Sequence, residues 1–297
     1  MGAAFGVRLK GFPELPFSLH DGASPVAELS WSDRAGTVVG DEFWMRDEGD
    51  LISVGWSKWA SYCVDVSRPN GDVDVTLQVG PLDAAVAFVF SVLPLVLPAW
   101  GLEPFHGSAV LTPLGALVVL GPSGAGKSSI AAALERRGFP LLADDTCAFD
   151  HDLMLWPGPA AINPRWADAL QRPVGEYNEK TIRVPELHSG DPARPVAILV
   201  LDADEGSELT VSEPSVEGRL QGILANARHG TFLLERRRSL QFKVATELAR
   251  LSMASVKLDP ARHDPDVVLG ALEPWCEQVG ISSIAPGETT AVDGLGR

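Results

Sequence analysis

The stretch GPSGAGKSS occupies positions 121–129. It fits the spacing Gly-x-x-x-x-Gly-Lys-Ser, the pattern of a phosphate-binding loop. Chemistry explains each residue type. Glycines let successive backbone N–H groups converge on phosphate oxygens, and a helix beginning there adds a favourable dipole. Lys127 would reach the terminal phosphates, and Ser128 would offer its hydroxyl to Mg²⁺. Gly121, Pro122, Ser123, Gly124, Ala125, Gly126, Lys127, Ser128 and Ser129 are therefore the candidate nucleotide contacts. The pattern names a ligand class and no reaction.

Two neighbours can supply a reaction. Asp144 and Asp145 close the apolar run FPLLADD. If that run is the second strand of a β-α-β unit, it lies parallel to the strand feeding the loop, and its carboxyl end reaches the same sheet edge. An acid there can hold Mg²⁺ or accept a proton from an attacking hydroxyl. Adjacent strand residues point to opposite faces, which leaves one of the two open to a structural role. The second neighbour is His106. SAVLT (108–112) and ALVVL (116–120) flank Pro113-Leu114-Gly115, which reads as a hairpin loop. Pairing about position 114 sets 108 against 120 and brings His106 beside the start of the phosphate loop. An imidazole there can contact phosphate or metal, or move a proton.

These residues need a scaffold, and the pattern of the chain supplies one. ALVVL precedes the loop, and SSIAAALERRG follows it as a helix with Gly138 as C-cap. SAVLT, FPLLADD and VAILVL (196–201) are short apolar runs of the kind buried in a sheet. Residues 1 to about 80 read as β-rich: LISVGW, YCVDVS and DVDVTLQVG alternate, with Pro69-Asn70-Gly71 as the turn between the last two. The charge-free run 84–100 is slightly short for a membrane span, which takes roughly 20 residues. Pro94 and Pro98 argue for a buried core helix of about ten residues ending near Pro94. Beyond 214 the chain reads as mostly helical, through VEGRLQGILAN and SLQFKVATELARLSMAS, with a short strand SVKLD (255–259). A final helix, 264–275, is capped by Asp264 with Pro265 at its first position. The expected organisation is a β-rich region 1–82, a nucleotide-binding domain 83–283 and a loose tail 284–297.

Composition narrows the partners. The chain has 297 residues, a net charge of −15 and a sequence pI of about 4.8. Nucleic acids and anionic membranes need clustered cations, so neither is an expected partner, and no membrane span is expected. Cys63, Cys147 and Cys276 are odd in number and far apart, without the spacing of a zinc site or disulfide framework. That suits a reducing cytoplasm, as does an N-terminus without the apolar run of a signal peptide.

Taken together, HGSAV, GPSGAGKSS and RRGFPLLADD resemble, over about 102–150, the HPr kinase/phosphorylase family and its shorter relatives. The resemblance implies an α/β fold: a P-loop kinase core, similar also to phosphoenolpyruvate carboxykinases, with a β-rich N-terminal part and a helical C-terminal part. It implies transfer of the γ-phosphoryl group of ATP, with Mg²⁺, to a serine hydroxyl. Lys127 and Ser128 would serve the phosphates and the metal, Asp144 would be the base, Asp145 its supporting acid on the metal side, and His106 part of the site. The Glu-x-Arg-Gly-x-Gly signature of true family members is not found after the core, so HPr as substrate and the reverse phosphorolysis are not carried over. Some relatives phosphorylate a serine of a ribosomally made peptide precursor, and a peptide or protein serine is the expected acceptor; the resemblance also permits a homo-oligomer. Lys180 and Arg183 in EKTIRV would add cations near the phosphates, or be solvated strand charges. The basic cluster RHGTFLLERRR (228–238) would meet an acidic peptide or a phosphate, or form a solvated helix face. An ATP-hydrolysing switch and a small-molecule hydroxyl kinase remain alternatives. Asn178-Glu179-Lys180 is not a guanine-recognition motif, and a relic scaffold would not keep Lys127, Ser128, Asp144 and Asp145 together.

Overall fold

The alternation in the N-terminal third becomes a seven-stranded sheet. The computed structural model describes residues 2–281 apart from 21–24, 26, 38–42, 58, 68–69, 163–172, 178–179 and 229–233, with backbone alone at 173–177, 180–181 and 234–236. The first sheet comprises β1 (Gly2–Ala4), β2 (Val7–Lys10), β3 (Ala27–Ala35), β4 (Phe43–Asp47), β5 (Leu51–Trp56), β6 (Ala60–Asp65) and β7 (Asn70–Leu77). Their order is β1-β2-β3-β7-β6-β5-β4. Strand β6 alternates strictly between buried and half-buried residues, the signature of a sheet with one face on a core. Asn70 and Gly71 belong to β7, where they pair with Glu28 and Leu29 of β3. They are strand residues rather than the expected turn, because a third strand offers their backbone a ladder.

The apolar segment covering this sheet is longer than expected. It runs from Pro81 to Trp100 as α1 (Pro81–Ala87), a π-helical turn (Phe88–Val92), α2 (Leu93–Val96) and a 3₁₀ turn (Leu97–Trp100). Proline does not end it at 94. The π-helical turn, in which Leu93 N–H reaches back to Phe88 O, widens the spiral where the proline ring needs room. Among the described residues this is the run long and apolar enough to cross a membrane, with mean hydropathy 2.1; 72% of it is buried inside the protein. Phe88, Val89, Val92, Leu93 and Val96 pack with Leu29, Ile52, Tyr62, Val64 and Val73 of the sheet. The Tyr62 hydroxyl donates to Ala84 O at 2.8 Å, which gives the phenol a partner in an otherwise apolar layer.

The nucleotide-pattern residues lie on a second architecture. It comprises β8 (Glu103–Phe105), β9 (Gly107–Thr112), β10 (Gly115–Leu120), α3 (Lys127–Arg136), β11 (Leu141–Ala143), β12 (Cys147–Phe149), β13 (Leu155–Trp156), β14 (Pro173–Tyr177), β15 (Lys180–Arg183), β16 (Pro195–Ala203), β17 (Thr210–Ser212), α4 (Val216–Leu224), α5 (Leu234–Leu248), β18 (Ser252–Leu258) and α6 (Pro265–Gln278). Six strands form one sheet in the order β11-β9-β10-β16-β18-β17; β13-β12-β8 form a three-stranded sheet, and β14-β15 a hairpin. The continuous apolar run of β10 is explained by helices on both sheet faces. Leu117 and Val119 pack with α3 and α6, whereas Ala116, Val118 and Leu120 pack with α4 and α5. The result is a mixed α/β structure with several sheets.

Register and element boundaries differ from the sequence reading in four places. β9 and β10 pair Ser108 with Val119 and Gly107 with Leu120, one residue from the expected register, because Thr112 and Gly115 close a two-residue turn. Helix α5 stops at Leu248, and β18 starts at Ser252, where the sheet recruits residues whose periodicity looks helical. The last helix continues past Pro274 to Gln278. Gly138, with φ 91°, stands one residue beyond the cap Arg137 of α3. The expected tail lies outside the described residues.

The Phe88 ring sits 5.4, 6.0 and 5.8 Å from the rings of Phe12, Trp31 and Tyr62 and has no exposed surface. Phe88→Ala is expected to cost about 3–5 kcal/mol, the range for emptying a buried aromatic site. Urea denaturation with the m-value held constant checks it.

Candidate functional site

The loop after β10 is shaped by close approach and by helix initiation. Gly121 has φ 151°, and a Cβ there would lie 2.8 Å from Leu201 O on the neighbouring parallel strand β16. Gly126, at φ 96°, is the N-cap residue of α3, a left-handed position that other residues adopt at a cost. Pro122, Ser123 and Gly124 are exposed at the loop tip, Ser128 is half-buried, and Ser129 is buried. Ala125 N–H turns back to Pro122 O at 3.2 Å. Lys127 opens α3 and is only 5% exposed. Its ammonium donates to the carbonyls of Gly121 and Pro122, each at 2.8 Å, and to His106 Nε2 at 2.9 Å.

This contact sets the state of His106. An ammonium can only donate, so Nε2 accepts, and Nδ1 carries the ring proton towards Asp145 O at 3.0 Å. Burial, and then the charge of Lys127, pull the His106 pKa below its ordinary value, with Asp145 opposing. His106 thus reaches the loop start, as the hairpin reading expects, through a register displaced by one.

The two acids sit in different surroundings. β11 is antiparallel to β9, which is antiparallel to β10; β11 therefore runs parallel to β10 with β9 between them. Asp144 and Asp145 accordingly emerge at the edge that carries the loop. Asp144 is 2% exposed and accepts from Ser108 Oγ at 2.5 Å. Asp145 has a left-handed backbone, φ 66°, which turns the chain towards β12. Its carbonyl and its carboxylate both accept from Arg228 at 2.6 Å, and Arg228 also donates to the Thr146 hydroxyl. The buried Cys147 thiol lies beneath this cluster; burial, and then Asp144, push its pKa far up, so it is an inert neutral thiol.

Arg228 and Asn226 are the site residues that sequence reasoning missed. Asn226 Oδ1 accepts from Gly121 N–H at 3.0 Å, while its Nδ2 donates to Gly222 O at 2.7 Å. The backbone of this segment lies on β8: His106 N–H donates to Asn226 O at 2.7 Å, and Arg228 N–H to Pro104 O at 3.0 Å. Arg228 begins the basic cluster 228–238, whose sequence reading is contact with an acidic peptide or a phosphate, or a solvated helix face. Its position in an otherwise acidic chain was the available signal, and its place beside Asp145 follows from pairing across more than 80 residues. Arg237, from the same cluster, is buried against Glu103, and Arg238 is exposed. Residues 229–233 of the cluster lie outside the described residues. So does the Lys180 side chain, although its backbone forms β15. Arg183 pairs through its backbone with Ile162 at 2.8 and 2.9 Å.

Among the described residues no group of three or more His, Cys, Asp or Glu forms a metal cage. The donor set suits a cation held chiefly by phosphate oxygens and water, for which one hydroxyl and one nearby carboxylate suffice. Ser128 and Asp145 are of those types.

No protein-family model matches the chain, and no curated protein matches it in sequence. Among solved structures, one that matches is the Hpr(Ser) kinase/phosphatase from Coxiella burnetii, at 12% sequence identity and a TM-score of 0.31, covering 60% of this chain and 93% of that chain.

Burial of His106, and then its contact with Lys127, makes the fold sensitive to acid. In the unfolded chain a histidine titrates at roughly 6.5, and in the folded protein His106 lies below that. At a pH near that value the unfolded state binds more protons, so stability rises with pH. The contribution of His106 is fully present above about pH 6.5 and is lost as the pH falls towards the folded value. The loss of denaturation midpoint between about pH 7.5 and about pH 5.5 is expected to be smaller in His106→Gln than in the parent.

Proposed function

We propose that this protein is an ATP-dependent kinase that transfers the γ-phosphoryl group to a serine hydroxyl of a peptide or protein. The observation that carries the reading is the convergence of Lys127, His106, Asp145, Arg228 and Asp144 at the loop Gly121–Ser129, drawn from four separate parts of the chain. Phosphoryl transfer makes modest covalent demands on a protein and large electrostatic ones. Lys127 would exchange its carbonyl partners for the β- and γ-phosphate oxygens, while Arg228 stays on Asp145 at the same edge. A Mg²⁺ bound by Ser128 and the phosphates would neutralise charge on the transferred group. Asp144 accepts the serine proton as the serine oxygen bonds to phosphorus and the bond to ADP breaks. Asp145 is committed to Arg228 and His106, which suits the supporting role. The resemblance of HGSAV, GPSGAGKSS and RRGFPLLADD to HPr-kinase-like sequences supports serine as the acceptor and a ribosomally made peptide as a substrate class. The free thiols of Cys63, Cys147 and Cys276 fit a reducing cytoplasm.

Lys127→Ala is expected to weaken ATP binding about 10- to 100-fold, the worth of one or two charge-assisted hydrogen bonds. Calorimetric titration with ATP measures this, and unchanged affinity overturns the loop assignment. Asp144→Asn is expected to lower transfer from γ-labelled ATP to serine peptides by about 10²–10⁴-fold while ATP affinity stays within about threefold. Parent-like turnover in that variant removes Asp144 from the role of base. Label released only into water points to hydrolysis in place of transfer.

A further inference from the structure

Behind the site lies a charged pair that none of the roles above uses. Glu103, in β8, has no exposed surface, and Arg237, in α5, has 2%. Arg237 Nη2 donates to Glu103 Oε1, and its Nε to Oε2 at 3.3 Å, a two-point grip. Gln241, one turn along α5, donates to the same carboxylate at 2.8 Å. Arg237 Nη2 also donates to the backbone carbonyl of Arg228 at 2.8 Å.

A buried ion pair seldom adds net stability over a well-packed apolar pair, because both charges lose their hydration. What it adds is direction: a planar guanidinium with several fixed donors holds its acceptors in one arrangement. Here one acceptor is a side chain of β8, and another is the main chain of the residue whose side chain meets Asp145. Arg228 is thereby held from two sides, its N–H by Pro104 O on β8 and its carbonyl by Arg237 on α5. Asn226 is fixed separately, by Gly222 and His106. The reach of the pair towards the loop therefore ends at Arg228.

We infer that Glu103 and Arg237 form a positioning unit that fixes the backbone of Arg228 and so holds its guanidinium on Asp145, serving the transfer step and not the grip on the nucleotide. The inference rests on the reading of this site as a phosphoryl-transfer centre. Burial drives the Glu103 carboxyl pKa up, with Arg237 and, after it, Gln241 pulling it back.

The test is the double variant Glu103→Leu/Arg237→Met, which removes both charges together and leaves neither one buried alone. Amide hydrogen exchange is followed at Arg228 and in β10, with ATP affinity by calorimetry and label release from MgATP, to water or to serine peptides. Exchange at the Arg228 amide is expected to quicken by about tenfold or more while β10 is unchanged. Turnover is expected to fall by about tenfold or more, with the ATP dissociation constant within about twofold of the parent. Unchanged exchange at Arg228, or ATP affinity falling in step with turnover, overturns the positioning role. Should the double variant not fold, Glu103→Gln, which keeps the shape and removes the charge facing Arg237, is measured against the same outcomes. A parent protein that transfers no label at all defeats the phosphoryl-transfer reading, and the exchange measurement still decides whether the pair holds Arg228.

Discussion

The ammonium of Lys127 is the contact on which the site depends. It is nearly buried, and it is held by the carbonyls of Gly121 and Pro122 and by the imidazole of His106. A cation enclosed to this degree persists only where acceptors replace its water. The loop, the start of α3 and the residue preceding β9 therefore have to meet at one place. That requirement sets the tautomer of His106, whose remaining proton is directed to Asp145. Asp145 then faces Arg228, so one buried lysine organises charges over a span of more than 100 residues.

The layers around this point serve it. The β9–β10 hairpin delivers His106 to one side of the loop, and the parallel course of β11 relative to β10 delivers the acids to the same edge. Helices α3 and α6 cover one face of the sheet, α4 and α5 the other. Arg137, at the end of α3, pairs with Asp266 in the first turn of α6 at 2.9 Å, where an acid also suits the helix dipole. Glu135 accepts from Leu187 N–H at 2.7 Å, which ties the approach to β16 to the back of α3. The short segment between α4 and α5 joins the layers to the site, because Asn226 touches the loop and Arg228 touches the acid.

Local pattern carried much of this into the sequence. The strand, loop and helix around Gly121–Ser129 were legible because they follow each other in the chain and because each has its own signature of apolar run, glycine spacing and helical periodicity. Asp144 and Asp145 were legible through the parallel course of a β-α-β unit, although β9 stands between the two strands. His106 was legible through a hairpin, with the register off by one because the turn closes on two residues. The apolar helix was underestimated at Pro94 because a π-helical turn, invisible to composition, makes space for the ring. The start of β18 was read as helix because Leu251 and Met253 continue the spacing of α5, and only pairing with the neighbouring strand β16, from Ser252 onward, claims Met253 for the sheet.

The sequence alone supplied the phosphate-loop pattern and singled out Lys127, His106 and the acid pair, because motif patterns depend on residues close together along the chain. Tertiary structure alone decided that Arg228 and Asn226 belong with them, that Arg237 is buried on Glu103, and that Asp144 and Asp145 occupy unlike surroundings. The placing of Arg228 and Asn226 arises from backbone pairing between residues 104–106 and 226–228. A single sequence carries no local trace of it, because the energy of such a ladder lies in hydrogen bonds between groups that every residue possesses.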